Sequence, residues 1–153
     1  MTLVSPQRVI YSEDAIGERL KRAETLAQQG DLAAAEREFR EILRLDPKSF
    51  IAHNDLGGLY MRQVRYELAC REFAQAAILN PDLPEIQRNL GVCLFQSGQF
   101  SQAQVALRKA KQLNPQDPRT RFLLGYSSLL LGQNDEAASE LEYVRKQKPG
   151  DET

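Results

Sequence analysis

PEIQRNLGVCLFQSGQFSQAQVALRKAKQLNPQD, residues 84–117, decides the fold, because its pattern returns along the whole chain. Proline stands at Pro47, Pro81, Pro115 and Pro149, an unbroken interval of 34 residues. Ahead of each proline comes Gly30, Gly98 or Gly132, with Val64 in the second unit. Five residues after that position is Ala35, Ala69, Ala103 or Ala137, and four further on a large apolar group, Phe39, Phe73, Leu107 or Leu141. Upstream lies a small residue, Ala23, Gly57, Gly91 or Gly125, preceded in the last three units by Leu56, Leu90 and Leu124. A fixed period of this length is the mark of a repeat architecture in which each unit buries its apolar face only by stacking on a neighbour.

Each unit reads as two helices. The first are predicted over 13–29, 50–63, 84–97 and 118–131, the second over 32–45, 66–79, 100–113 and 134–147. Ser49 and Asp117 can cap the free amides of the helix that follows, and Pro84 and Pro118 suit a first helical turn. Asp46-Pro47, Asn80-Pro81 and Asn114-Pro115 end the helix before them, since the residue ahead of proline avoids the helical region. Glycine inside a helix costs about 1 kcal/mol against alanine. Its recurrence at Gly57, Gly91 and Gly125 therefore calls for a packing reason, and close approach to the alanine of the second helix would supply one.

Composition bounds the function. With 153 residues, 42% of them hydrophobic, and a formal charge of −1, the chain suits one core or a short solenoid and gives no electrostatic case for nucleic acid or anionic membrane. Met1 to Arg8 lacks a basic stretch followed by an apolar run, and no 18 apolar residues run together, so secretion and membrane insertion are not expected. Cys70 and Cys93 have no Cys-x-x-Cys partner, so neither a disulfide framework nor a zinc site is suggested, and a reducing, cytoplasmic compartment is the default expectation. Both thiols read as small buried hydrophobes.

Leu90-Gly91-x2-Leu94, Gly98-x4-Ala103-x3-Leu107 and Asn114-Pro115, with Leu56-Gly57-x2-Tyr60, Ala69-x3-Phe73 and Asn80-Pro81, resemble the tetratricopeptide repeat (TPR) family. The resemblance covers about 16–151 and departs from the family at its early tryptophan slot, which holds Arg19, His53, Gln87 and Arg121. It implies an all-α fold, a right-handed α-solenoid of four helix-turn-helix TPR repeats and eight helices, at 16–49, 50–83, 84–117 and 118–151. Residues 1–15 are left as an N-terminal arm or extra packing segment, and 152–153 as a tail. Gln147 stands where earlier units have Leu45, Leu79 and Leu113, Arg145 where they have Leu43, Ala77 and Lys111, and Arg22 where later units have Leu56, Leu90 and Leu124. The terminal helices therefore read as polar, and four repeats are expected to be the complete array.

Chemistry is sparse. His53 has no recognisable base partner, Gly57-Gly58 lies inside a helix rather than in a phosphate loop, and Glu36/Glu38 and Glu140/Glu142 read as solvated faces. No catalytic, cofactor-binding or metal-binding residue is singled out, and the chain reads as no enzyme. The family resemblance points instead to the variable face of the first helices, which would line a concave groove. In the second unit that face holds Asn54, Met61 and Arg62. The next two supply Arg88, Val92 and Phe95, then Arg119, Phe122, Tyr126, Leu129 and Leu130. One half of this groove is mixed and polar, the other apolar with cations at its mouth. The clamp by which TPR domains hold the acidic tails of heat-shock chaperones is not expected, since Leu20, Glu24, Asp55, Glu85 and Asn89 occupy its positions in the first three repeats. Counted from the second repeat, Asn54, Gly58, Asn89, Arg119 and Leu123 retain only part of it. The expected function is a non-catalytic interaction module (scaffold, adaptor or assembly chaperone) that takes a protein or peptide segment in the groove. The alternative is a regulatory or substrate-recruiting domain of a larger enzyme. Self-association is open but not indicated.

Overall fold

The computed structural model describes residues 13–147. Residues 1–12 and 148–153, which hold most of the N-terminal arm, Pro149 and the tail, lie outside the described residues. Among the described residues there are eight α-helices and no strand: α1 (Glu13–Gln28), α2 (Leu32–Leu45), α3 (Phe50–Arg62), α4 (Tyr66–Leu79), α5 (Pro84–Gln96), α6 (Phe100–Leu113), α7 (Pro118–Leu130) and α8 (Asn134–Lys146). Local chemistry places their ends. Ser49 Oγ accepts the Ala52 amide at 3.3 Å, Asp117 accepts that of Arg119 at 3.2 Å, and Asp31 caps α2 by accepting that of Ala34 at 3.0 Å. Asp46, Asn80 and Asn114 close α2, α4 and α6, their amides donating to the carbonyls of Ile42, Ala76 and Ala110.

The chain divides into two compact units between Pro47 and Lys48. In the first, α1 pairs with α2, and Ala23, Ala35, Phe39 and Ile42 are buried. In the second, three antiparallel pairs form in order, α3 with α4, α5 with α6 and α7 with α8, and α4 packs on α5 as α6 does on α7. Glycine makes the pairs possible. A Cβ on Gly91 would sit 2.6 Å from Leu107 Cγ, one on Gly57 2.9 Å from Phe73 Cδ1, and one on Gly125 2.9 Å from Leu141 Cγ. The group that needs the space is therefore the large apolar residue of the second helix and not, as the sequence suggests, its alanine.

Where the family carries tryptophan, this chain places a polar side chain that takes a partner within the protein. Arg19 donates to Glu38 at 2.8 Å, and Arg121 donates to Glu140 at 2.8 Å. His53 Nδ1 lies 2.7 Å from Glu72. All three span 19 residues, from the first helix of a pair to the second. In the third pair Gln87 instead donates to the Pro81 carbonyl at 3.0 Å, opposite the small Ala106. Glu140, expected on a solvated face, is buried at 3% exposure and also accepts from Lys111. A carboxylate so desolvated is tolerable because two cations satisfy it.

Candidate functional site

The face shared by α3, α5 and α7 lies within the second unit, where α5 touches both of the others. Its α3 side is closed by polar groups that satisfy each other. Asn89 Nδ2 donates to Asn54 Oδ1 at 3.0 Å, and Asn54 Nδ2 donates to Asp55 at 3.1 Å. Arg62 is exposed at the end of α3.

Between α5 and α7 the face opens into a recess of about 630 Å³, lined by Arg88, Asn89, Val92, Pro118, Arg119, Phe122, Leu123 and Val144. Proline at the first turn and the Asp117 cap set where α7 begins. One turn spacing then puts Arg119, Phe122, Tyr126 and Leu130 along one side of α7. Phe122 is 48% exposed, Tyr126 42%, and Leu129 and Leu130 48% each. The rings of Phe122 and Tyr126 stack with centroids 6.1 Å apart, Tyr126 meets Phe95 at 5.6 Å, and Phe95 meets Phe100 edge-on at 5.3 Å. Phe95 also rests on the buried cluster of Ala103, Leu107 and Leu124, so the ladder is anchored in the core at one end and presented to solvent at the other.

The two cations at the mouth differ. Arg88 donates to Asp117 at 2.9 Å, which draws it across from α5 to the start of α7. Burial pushes the Asp117 carboxyl up, but hydrogen bonds from Thr120, Arg88 and the Arg119 amide outweigh it and hold the group below the ordinary carboxylate range. Arg119 is exposed, and among the described residues its guanidinium makes no hydrogen bond or ion pair. Of the residues the sequence nominates, the structure thus groups Arg88, Val92, Arg119 and Phe122 around the recess, with Phe95 and Tyr126 in the adjoining ladder and Leu130 on the exposed end of α7. Asn54 and Arg62 are outside its lining, Asn54 meeting it only through Asn89.

Sequence reasoning missed Pro118, Leu123 and Val144 in the lining, and Leu131, 37% exposed beyond α7. Register contained a signal for the last. Leu130 and Leu131 occupy the slots of Gln28 and Gln29, Arg62 and Gln63, and Gln96 and Ser97. Polar residues three times over give way to leucine only in the fourth unit. No group of three His, Cys, Asp or Glu side chains suited to a metal ion occurs among the described residues, and no described helix is long and apolar enough to cross a membrane.

Paired helices repeating every 34 residues, with a ligand-sized recess between successive first helices, define a helical-repeat protein of the kind that presents a face to other molecules. Profiles of the tetratricopeptide repeat match residues 20–84, 63–121 and 94–153, and the chain belongs to that family as an all-α TPR solenoid. Among solved structures it is similar to MamA 41-end from Desulfovibrio magneticus RS-1, at 20% identity and a TM-score of 0.81, covering 92% of this chain and 80% of that one. It is also similar to YrrB, described as a TPR protein with an unusual peptide-binding site, at 27% identity and a TM-score of 0.81, covering 87% and 69%. A 74-residue segment is 34% identical to the transcription factor tau 131 kDa subunit of Saccharomyces cerevisiae; it is 48% of this chain and 7% of that protein.

Proposed function

We propose that the chain is a non-catalytic interaction module that binds a peptide segment along α7 and the recess between α5 and α7. The observation that carries this is the solvent-exposed run of Phe122, Tyr126, Leu129 and Leu130 beside Arg119, whose side chain has no partner among the described residues. Large apolar groups left in water on a face not used for stacking mark an interaction surface. Aromatic side chains and arginine dominate binding energy at such surfaces. The ligand is a segment with one or two large apolar anchors and acidic residues beside them, the anchors on the Phe122–Tyr126 rings and the acid at Arg119. From Arg119 to Leu130 the stripe spans about 16 Å at 1.5 Å per residue, which matches about five residues of extended peptide. The similarity to YrrB supports a peptide as the ligand class.

Co-purification from native lysate tests the reading. Wild type should recover a partner that a folded Phe122→Ala/Tyr126→Ala variant does not. Equal recovery by the two proteins would remove the groove from the account and leave the opposite face or the N-terminal arm as the binding surface.

A further inference from the structure

Cys70 on α4 and Cys93 on α5 were expected to be separate buried thiols, yet they are joined as a disulfide with their Cα atoms 5.5 Å apart. Stacking explains how residues 23 apart with no Cys-x-x-Cys signature come together. The second helix of one pair lies against the first helix of the next, and the two cysteines fall at the same level of that contact. Their separation matches what a disulfide spans without movement of the backbone. The bond is not a general property of the repeat. One period later the same slots hold Gln104 and Ser127, and that junction is closed by hydrogen bonds, Gln104 Nε2 donating to Ser128 Oγ at 2.8 Å.

We propose that Cys70 and Cys93 form a reversible redox clamp across the junction of α4 and α5, closed by exchange with a low-molecular-weight disulfide such as oxidised glutathione. Cys70, at 9% exposure the more accessible of the two, is the entry point. Its thiolate attacks one sulfur of the small disulfide, forming a mixed disulfide and releasing one thiol. Cys93, fully buried, then loses its proton and attacks Cys70 Sγ, releasing the second thiol. The balance is two protein thiols and one small disulfide giving one protein disulfide and two small thiols, a two-electron exchange that runs backwards in excess thiol. In the open form Cys93 keeps a partner, because the Tyr66 carbonyl oxygen lies 3.2 Å from its sulfur and can accept the S–H. Ser97 Oγ, 4.0 Å from Cys70 Sγ, does the same for Cys70. Both states of the junction are therefore satisfied, as a switch requires.

The clamp is independent of what the groove binds, and its test needs no ligand. Purified full-length chain is equilibrated in glutathione buffers of increasing oxidised fraction, acid-quenched, alkylated and mapped by mass spectrometry, then melted with and without a phosphine reductant. Both thiols should disappear together. The oxidised chain should melt about 10 °C above the reduced one, as a closed loop of this length implies. Amide exchange should slow in α4 and α5 and stay unchanged in α8. A Cys70→Ser/Cys93→Ala variant should melt with the reduced wild type and ignore the reductant. If that variant does not fold, the comparison of the two wild-type forms stands by itself. Two free thiols in excess oxidised glutathione, a mixed disulfide that never resolves, or equal melting of the two wild-type forms would each overturn the clamp.

Discussion

The two sides of α5 use the same backbone scaffold to opposite ends. Towards α3, Asn89, Asn54 and Asp55 hydrogen-bond in a chain, and their polar groups are satisfied within the protein. Towards α7, Phe122 stacks on Tyr126 and Tyr126 leans on Phe95, but Phe122 and Tyr126 leave about half their surface in water, and Arg119 beside them has no side-chain partner among the described residues. A polar face that satisfies itself has little left to offer a ligand. An apolar face that stays wet gains by being covered. Binding should therefore be lopsided along the groove, and each variant below tests that asymmetry.

The largest effect falls on α5 itself, which both sides share. Gly91→Leu forces a side chain into Leu107 and should cost roughly 1–3 kcal/mol by overpacking, lowering the melting temperature and weakening binding together. Tyr126→Ala should instead lose at least ~1 kcal/mol of affinity with the helical circular dichroism unchanged. On the other side, Asn54→Ala should cost about 1 kcal/mol of stability through the lost Asn89 bond and leave affinity as it was. If Asn54→Ala weakened binding as much as Tyr126→Ala, the two sides would be equivalent and the asymmetry wrong. Arg119→Ala should weaken binding by about 0.5 kcal/mol, mostly through on-rate, and lose even that effect at high salt.

Asp117 gives a pH-dependent handle. Its folded carboxyl is held below the ordinary carboxylate range, so its contribution is complete at neutral pH and is lost as pH falls below about 3.9, the usual value for a free aspartate. Asp117→Asn should flatten that acid limb of the melting-temperature profile. It should also release Arg88, which would then act as a second cation at the mouth.

The fold was legible because the 34-residue period ties every local signal to its partner. Pro84, Pro118, Ser49 and Asp117 mark starts, and the predicted helices agree with the observed ones to within about a residue at each described end. Val64 shows the period at work where its chemistry is wrong. It takes the slot of Gly30, Gly98 and Gly132 and adopts their left-handed conformation at φ 60°, so Val64→Gly should stabilise the chain by about 0.5–1 kcal/mol in thermal melts. The candidate site was legible only in part. Periodicity says which side of α7 Phe122 and Tyr126 share, but whether a ring is core or exposed depends on what packs over it. Phe95 and Tyr126 fall at different levels of the same face, and Phe95 is partly buried against Ala103, Leu107 and Leu124 while Tyr126 is exposed. The Arg121–Glu140 pair and the Cys70–Cys93 bond escaped sequence reading for a related reason. Each joins residues from different helices, and their proximity follows from inter-helix register, which no single-helix pattern reveals.

Selection from a random peptide library, run in parallel on wild type and on Phe122→Ala/Tyr126→Ala, tests the central claim most directly. The wild type should enrich peptides with a large apolar residue beside one or more acidic ones, and those peptides should fail to bind the double variant while it keeps its helical spectrum and cooperative melt. Peptides that are basic or lack an apolar anchor, or that bind both proteins equally, would contradict the account.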